Sequence, residues 1–589
     1  MGLPHIGRPE TGRLKARRLN ERRPNASRSA RPRRPGRPAR RAAGGAAAGR
    51  GALTALVAAL ALVTGCQQQG GEGRHPSASS PRPTGTATTT PRPTPTTPRP
   101  TTTAPRPPAS PTALPAPPRT IPSVRDYTPQ AGPGWRPGPG SRVVADPRGP
   151  LADEAALTAR ELGLRVSAGP ARRGDLELAL KPEQSGGGEA YVLTVRDGTA
   201  RITGSADAGV FYGTRTVKQA LRSGGRLPQG VIRDRPDRPQ RGLNLDIARK
   251  YFPASWIEAR LREMADLKLN QLGLHFSDDQ AFRIQSSSHP EIVAPRHLTK
   301  QEVRRIVSLA RSLHITVIPE IDSPGHLGAV IRAHPLLQLR TGKGLAFRGA
   351  VDISNPAAAR IVDDLMREFA PLFPGPYWHL GGDEYGALMS RNPEATYPAL
   401  ATAARLAYGP RGRIQDLATA WLNARAAVAR ELGKRPKAWN DGFYSGGVVA
   451  PDRGIEVEYW TGRESGARPP IEYLREGRTV VNLNDEYLYY VLGQPNNFRY
   501  PTGERIYEQW SPAVLRGTTP VPDAALTRPS RVPGARFAVW CDIPGAQTPT
   551  QVAHGIRLPL AALAQRLWDP GKPPLSWKKF TALSDRLTT

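Results

Sequence analysis

Tyr377-Trp378-His379-Leu380-Gly381-Gly382-Asp383-Glu384 is a short apolar run that stops at two glycines and then presents two adjacent carboxylates. The run reads as a buried strand, the glycines as a tight exit from it, and the acids as groups set at its C-terminal end. Seven similar runs flank it, at 242–247, 271–276, 315–321, 437–440, 455–460, 480–484 and 537–540. Amphipathic stretches separate many of them. Ile257, Leu261, Met264 and Leu267 recur at helical spacing, as do Val303, Ile306, Val307 and Ala310 behind a capping box of Thr299 and Glu302. Eight strands with helical crossovers predict an α/β fold of the (β/α)8 barrel type. An open doubly wound sheet is the alternative, but no GxGxxG or Walker loop follows any strand.

The polar residues then fall into a pattern. Asp246 and Arg249 follow the first run, Asp278 and Asp279 the second, Asp322 and His326 the third. Trp439 and Asp441 end the fifth, Trp460 closes the sixth, Asp485 and Tyr487 follow the seventh, and Trp540 and Asp542 end the eighth. Barrel chemistry sits at the C-terminal ends of strands. Carboxylates, an Arg and large aromatics around one mouth predict a carbohydrate pocket, because aromatics stack on sugar faces while charged groups take the hydroxyls. Asn440-Asp441-Gly442 reads as a turn, and Cys541 as an unreactive buried thiol. No HExxH or paired-His spacing is present, so neither a metal nor another cofactor is expected.

Ahead of the barrel, helix-like 151–163, strand-like 175–180, 191–198 and 200–205, and helix-like 209–221 predict a small α/β domain over 126–236, with the barrel over 237–580. No cluster of reactive residues marks that domain, and its expected role is structural. Residues 67–125 are a Pro/Thr-rich spacer that cannot bury a core. Before it, Ala52–Val63 is an apolar run too short to span a bilayer but suited to a signal peptide, preceded by an Arg-rich stretch. It ends in Val63-Thr64-Gly65-Cys66, which looks like a bacterial lipobox. Residues 1–66 are thus expected to be a signal peptide, Cys66 the lipidation site, and the cell membrane the place of attachment.

The chain of 589 residues carries a net charge of +33, which tempts one toward nucleic acid. Residues 1–120 hold 21 Lys/Arg against 3 acids, so +18 of that charge precedes the folded part. No nucleic-acid partner is expected for the body. Two cysteines exclude a disulfide scaffold.

His379–Glu384 matches the signature of glycoside hydrolase family 20, the β-N-acetylhexosaminidases. Arg241-Gly242-Leu243-Asn244-Leu245-Asp246-Ile247-Ala248-Arg249, His275-Phe276-Ser277-Asp278-Asp279-Gln280 and Pro319-Glu320-Ile321-Asp322-Ser323-Pro324-Gly325-His326 resemble its first three strands. The resemblance implies that Glu384 is the general acid/base and that Asp383 orients the substrate's acetamido group as it attacks. It implies that Arg249 clamps sugar hydroxyls and that Asp278 and His326 form a polar network behind Glu384. Trp439, Trp460 and Trp540 would wall the pocket, and Tyr487 would hydrogen-bond the acetamido carbonyl.

The residues agree with such a mechanism. Conventional glycosidases place two carboxyl groups about 5–10 Å apart across the bond, which adjacent residues on one strand end do not easily supply. One acid and a nucleophile carried by the substrate fit better. Glu384 is then expected to be protonated near neutrality. Two departures stand out: family members often have Tyr-x-Asp after the seventh strand and Trp-x-Glu after the eighth, where this chain has Tyr487-Leu488-Tyr489 and Trp540-Cys541-Asp542. Those acids hold far hydroxyls in the family. The expected substrate is an N-acetylhexosamine-containing oligosaccharide or polysaccharide, with terminal sugar released. A poly-N-acetylglucosamine hydrolase of the dispersin type, a lacto-N-biosidase-like enzyme, and a silent sugar-binding surface protein are the alternatives.

Overall fold

The computed structural model describes residues 113–463 and 467–588, all within one compact unit that begins at Pro105. The expected signal peptide, Cys66 and the spacer up to residue 112 lie outside the described residues, whereas the end of the expected spacer is packed, with Thr120 and Ile121 buried against the folded body.

Eight parallel strands form the barrel: β1 Gln240–Asp246, β2 Gln271–His275, β3 Thr316–Glu320, β4 Tyr377–His379, β5 Arg435–Trp439, β6 Glu456–Tyr459, β7 Val480–Asn482 and β8 Gly534–Trp540. They pair in chain order. The ring closes where β8 pairs with β1 along six residues and with β7 at Asn482 and Ala535. All eight predicted runs are strands, within a few residues of their predicted limits. Crossover helices include Ala254–Asp266, Lys300–Ser312, Pro356–Phe369, Ile414–Glu431 and Pro549–Trp568. Thr299 and Glu302 do close a capping box at the start of Lys300–Ser312. Between β5 and β6 the described chain forms only a 3-10 turn, Asn440–Gly442, instead of a helix.

Seven short strands make the preceding domain's sheet, with helices Ala152–Leu162 and Asp207–Gly224 close to the predicted spans. Strands Asp126–Pro129, Arg142–Val144, Arg165–Ser167 and Gly230–Asp234 were not legible, since three to five residues show little alternation. The domain is tied to the barrel by charge. The buried Arg241 of β1 reaches Glu189 at 2.9 Å, and Asp234 accepts from Trp568 at 2.8 Å and pairs with the buried Lys268 at 3.3 Å.

The barrel interior departs from the usual filling of branched apolar side chains. Glu320 on β3 lies 3.2 Å from His275 Nδ1 on β2 and 3.2 Å from His379 Nδ1 on β4. Across the lumen, His379 Nε2 is 3.5 Å from Glu458 on β6, which also pairs with Lys437 on β5 and Arg536 on β8. Every one of these side chains is buried. Charges removed from water persist only when paired, and here each has a partner.

Candidate active site

Strand β4 ends at His379, and the next four residues set the site. Gly381 has φ +70°, and a Cβ there would meet Asp322 Oδ1 at 1.7 Å, so only glycine lets the chain pass this close to Asp322. Asp322 Oδ1 accepts the Gly382 N–H at 3.0 Å. Glu384 is held at φ +47° and His326 at φ +53°, left-handed conformations that side-chain-bearing residues adopt at a cost. The Glu384 N–H is fixed by Asp441 Oδ2 at 3.0 Å, while Asp441 Oδ1 accepts the Trp460 indole N–H at 2.9 Å. The turn Asn440–Gly442 therefore braces an acid on one side and a pocket wall on the other.

His326 links the two carboxylates. Its Nε2 is 3.6 Å from Asp383 Oδ2 and 3.5 Å from Glu384 Oε2, and its Nδ1 is 3.4 Å from Asp278 Oδ1. Asp278 also pairs with His275 Nε2 at 2.8 Å and with Arg249 at 2.8 Å. Arg249 further contacts Asp246 at 3.1 Å, lies 4.0 Å from Asp542, and sits over the Trp540 ring. A line of alternating imidazoles and carboxylates thus runs from Glu458 in the lumen through His379, Glu320, His275 and Asp278 to His326.

The electrostatics differ between neighbours. Burial and then the Asp322 charge push Asp383 well above the ordinary carboxylate range, and Asp322 is itself raised by burial. Glu384 is the opposite. The His326 ring beside it holds its carboxyl below the ordinary value, and its side chain is 42% exposed at the rim. This runs against the expectation that Glu384 is the more readily protonated acid: the deeper Asp383 holds a proton more tightly than Glu384 does. Burial opposes charge on His326, but Asp278 and Asp383 overcome it and raise the ring well above its usual value. Glu320 and Asp278 likewise push His275 up to about 10 despite burial. Burial would raise Asp278, yet Arg249 and His326 hold it well below the usual range.

An open cavity of about 150 Å³ is lined by Arg249, His326, Asp383, Glu384, Asp542, Trp460, Tyr489, Val491, Asn496, Phe498 and Trp540. Trp460, Trp540, Arg249, Asp542 and both acids are where the sequence put them. Trp439 and Tyr487 are not. Trp439 is 1% exposed, donates its N–H to Glu320 at 2.8 Å and packs against Trp540, so it forms the floor beneath a wall residue. Tyr487 is buried in the four-residue helical turn Asp485–Leu488, with Arg505 over its ring at 4.4 Å. After that turn a separate strand, Tyr489–Val491, pairs beside β8 and brings Tyr489 to the pocket. Its ring lies parallel to Trp460 at 5.5 Å, and burial together with the Asp383 charge keeps its phenol protonated. The second position after the pocket tyrosine is therefore Val491, not Tyr489 as the sequence suggested. Cys541 is buried, as expected, with its thiol pushed up by burial and by Asp246.

Comparison with known proteins agrees with this geometry. The family model described as glycosyl hydrolase family 20, catalytic domain, matches residues 239–571, and that of glycosyl hydrolase family 20, domain 2, matches residues 117–235. A lacto-N-biosidase of Bifidobacterium bifidum is 29% identical over 463 residues, covering 77% of this chain and 40% of the relative. A β-hexosaminidase of Akkermansia muciniphila is 30% identical over 331 residues, covering 51% of this chain and 64% of the relative. The chain thus spans less than two thirds of the length of these curated relatives. The solved β-N-acetylhexosaminidase of Streptomyces coelicolor A3(2) superposes with a TM-score of 0.65 at 24% identity, covering 81% of this chain and 96% of that one, a likeness of fold.

Proposed function

The chain belongs to glycosyl hydrolase family 20, and from that membership we propose that it is a β-N-acetylhexosaminidase that removes terminal β-linked N-acetylglucosamine or N-acetylgalactosamine with retention of configuration. The observation that carries the reading is the sharing of one imidazole nitrogen, His326 Nε2, by two consecutive carboxylates within 3.6 Å. Two acids on one side of a pocket suit a reaction whose nucleophile is the substrate's own acetamido oxygen. Glu384, at the rim, protonates the leaving oxygen. Asp383, deeper, takes the acetamido N–H and stabilises the positive charge as the carbonyl oxygen bonds to C1 and the C1–O bond breaks. The cyclised oxazoline is then opened by water that Glu384 deprotonates.

In the free protein Asp383 has the greater affinity for a proton, although this step needs the proton on Glu384. His326, within reach of both, is the group through which it changes sides when a bound sugar strips water from Glu384. Tyr489, still protonated, donates to the acetamido oxygen, and the Trp460, Trp540 and Tyr489 rings enclose the acetamido methyl. A matched aryl β-glucoside, which lacks the acetamido group, is then inert, whereas a thiazoline mimic of the intermediate binds far more tightly than product. Trapping a glycosyl ester of the enzyme would overturn the reading, and absence of any hydrolysis of an aryl N-acetylglucosaminide would favour a silent binding protein.

A second reading, release of a disaccharide, is favoured by one observation. Val491 is the second residue after the pocket tyrosine, where the family resemblance implies a carboxylate for the terminal sugar's far hydroxyls, and without it those hydroxyls would be free to bear another sugar. The similarity to a lacto-N-biosidase over 77% of the chain points the same way. Product analysis on chitobiose, poly-β-1,6-N-acetylglucosamine and lacto-N-tetraose separates the possibilities.

For the leader, we propose cleavage before Cys66 and attachment to the outer face of the cell membrane by lipid on that residue. Support comes from the apolar run Ala52–Val63, which ends at Val63-Thr64-Gly65-Cys66. Each buried methylene contributes about 0.8 kcal/mol to anchoring. Cys66→Ser is expected to leave soluble enzyme or uncleaved precursor, and detergent-phase partitioning that survives it would refute the assignment.

A further inference from the structure

We propose that His289, Glu291 and His334 form a binding site for one divalent transition-metal ion of the zinc class, outside the catalytic pocket. Glu291 Oε1 lies 3.0 Å from His289 Nδ1 and 2.9 Å from His334 Nε2. Three potential ligand atoms thus lie within 4.8 Å of one another, although His334 is 43 residues away in sequence from Glu291. No His-x-x-x-His spacing announces the group, so no metal was expected from residue spacing.

The scaffold around the cluster is already ordered. Both histidines precede a proline that opens a 3-10 turn, and both hold nearly the same backbone conformation, φ −134°, ψ 64° for His289 and φ −128°, ψ 68° for His334. Proline restricts the residue before it, so neither ligand backbone needs ordering when an ion binds. The loop leading to His289 is fixed by Glu368, which accepts from Ser286 Oγ at 2.6 Å, Ser287 N–H at 2.6 Å and Ser288 N–H at 3.1 Å. The His289 N–H in turn donates to Ser286 Oγ at 3.0 Å.

Donor chemistry selects the ion. Two imidazole nitrogens and one carboxylate oxygen suit zinc and its neighbours, whereas calcium and magnesium prefer oxygen alone. Tetrahedral zinc with ligands at about 2.0–2.1 Å sets its ligand atoms about 3.3 Å apart. The two histidine-to-carboxylate separations need to widen by only a few tenths of an ångström, and all three ligand atoms already lie within 4.8 Å of one another. His289 Nε2 is buried without a hydrogen-bond partner and lies 3.7 Å from Asp364 Oδ2. Placing the ring proton on Nε2 aims it at that carboxylate and frees the Nδ1 lone pair for the ion, the usual carboxylate–histidine–metal arrangement. His334 coordinates through Nε2, its proton resting on Nδ1, and water takes the fourth position. Glu291 is 41% exposed, which leaves an entry path.

The ion would join the loop after β2 to the loop after β3. These loops carry Asp278 and His326, and they already touch where Asp279 Oδ1 accepts the Gly328 N–H at 3.0 Å and the Asp279 carbonyl accepts from Arg332 at 2.6 Å. The site is therefore a brace on the side of the mouth that holds the polar network.

The test uses the full-length protein, stripped with a chelator and titrated with zinc chloride by calorimetry. One zinc per chain is expected, with an absorption-edge spectrum of two imidazoles plus oxygen and a melting temperature several degrees higher with zinc than without. His334→Ala and Glu291→Gln should each weaken binding at least a hundredfold. Melting without zinc reports whether the variants fold. If His334→Ala does not fold, the position of the anomalous zinc peak in crystals of the wild-type protein decides. The proposal is overturned by absence of saturable binding, by a peak elsewhere, or by zinc binding that survives His334→Ala but is lost in His326→Ala, which would place the ion on the catalytic cluster.

Discussion

The pocket has two walls built on opposite principles. One is ionic: Arg249, Asp278, His326, Asp383, Glu384 and Asp542 form a connected set in which almost every charge has a named partner. The other is aromatic and apolar: Trp460, Tyr489, Val491, Phe498 and Trp540, with Trp439 beneath. On the ionic wall a change at one residue moves the protonation of its neighbours, because the charges lie within 4 Å of one another in a partly desolvated site. On the aromatic wall effects are local, since stacking and shape act through contact area. On the proposed function, the ionic wall would govern rate and pH dependence, and the aromatic wall would govern which sugar fits.

The largest effect expected from breaking the ionic wall is that of Glu384→Gln. It keeps the shape but removes the dissociable proton, and acid–base assistance is worth about 10²–10⁴-fold. Turnover of an unactivated N-acetylglucosaminide should fall by at least that factor with an unchanged melting curve, and near-normal turnover would remove Glu384 from the reaction.

Asp383→Asn should separate activity from stability. Turnover of N-acetyl substrates should fall about a hundredfold or more, yet the protein should melt at a higher temperature. The sign follows from the raised carboxyl: a group that binds its proton more tightly folded than unfolded makes stability fall as pH rises from the ordinary carboxylate pKa toward the folded one. Asparagine lacks that penalty, so the gain in melting temperature should be greater at pH 8 than at pH 4. Equal gains at both pH values would show that Asp383 is not the proton holder.

His326→Gln tests the link between the two acids. With the imidazole gone, Glu384 loses what holds its carboxyl low. The acidic limb of the kcat/KM profile on an aryl N-acetylglucosaminide should then move to higher pH. A limb that stays in place while kcat falls would assign His326 a purely structural part.

The smallest effect belongs to the apolar wall. Val491→Asp supplies the carboxylate that the strand Tyr489–Val491 lacks, and hydrogen bonds to an ionised acceptor contribute about 1.5–3 kcal/mol. Discrimination between aryl N-acetylglucosaminide and N-acetylgalactosaminide should rise about tenfold to a hundredfold, with little change in kcat for the better substrate. If the ratio does not move, Val491 is not at the hydroxyl-binding position.

How much of this could be read in advance varied with the distance over which each feature is decided. The end of β4 was legible because a strand, two glycines and two acids are consecutive, and the glycines have a local steric reason that Gly381 makes concrete. The end of β7 was misread by two residues. Tyr487 and Tyr489 are both tyrosines after an apolar run, and the choice between them depends on Asp485–Leu488 closing a helical turn whose Asn484 cap accepts the Glu486 N–H at 3.0 Å. Only the pairing of Tyr489–Val491 with β8 tells which ring faces the pocket. Asp441 looked like a turn residue and is one, but its two oxygens hold a backbone amide and an indole that are 57 and 19 residues away in sequence.

The sequence by itself determined the barrel, the order of its strands, the mouth on which polar residues gather and the identity of the paired acids. Hydrophobic period, turn residues and strand-end chemistry are local and leave a written trace. The tertiary structure decided which tyrosine lines the pocket, that Trp439 lies under it, and that burial raises the Asp383 carboxyl while His326 lowers that of Glu384. It also decided that a charged network fills the lumen and that two histidines and a glutamate converge beside the mouth. Each of these depends on desolvation and on charges brought together from distant strands and loops. A carboxyl's affinity for its proton is set by what the fold places within a few ångströms of it, and no run of neighbouring residues records that.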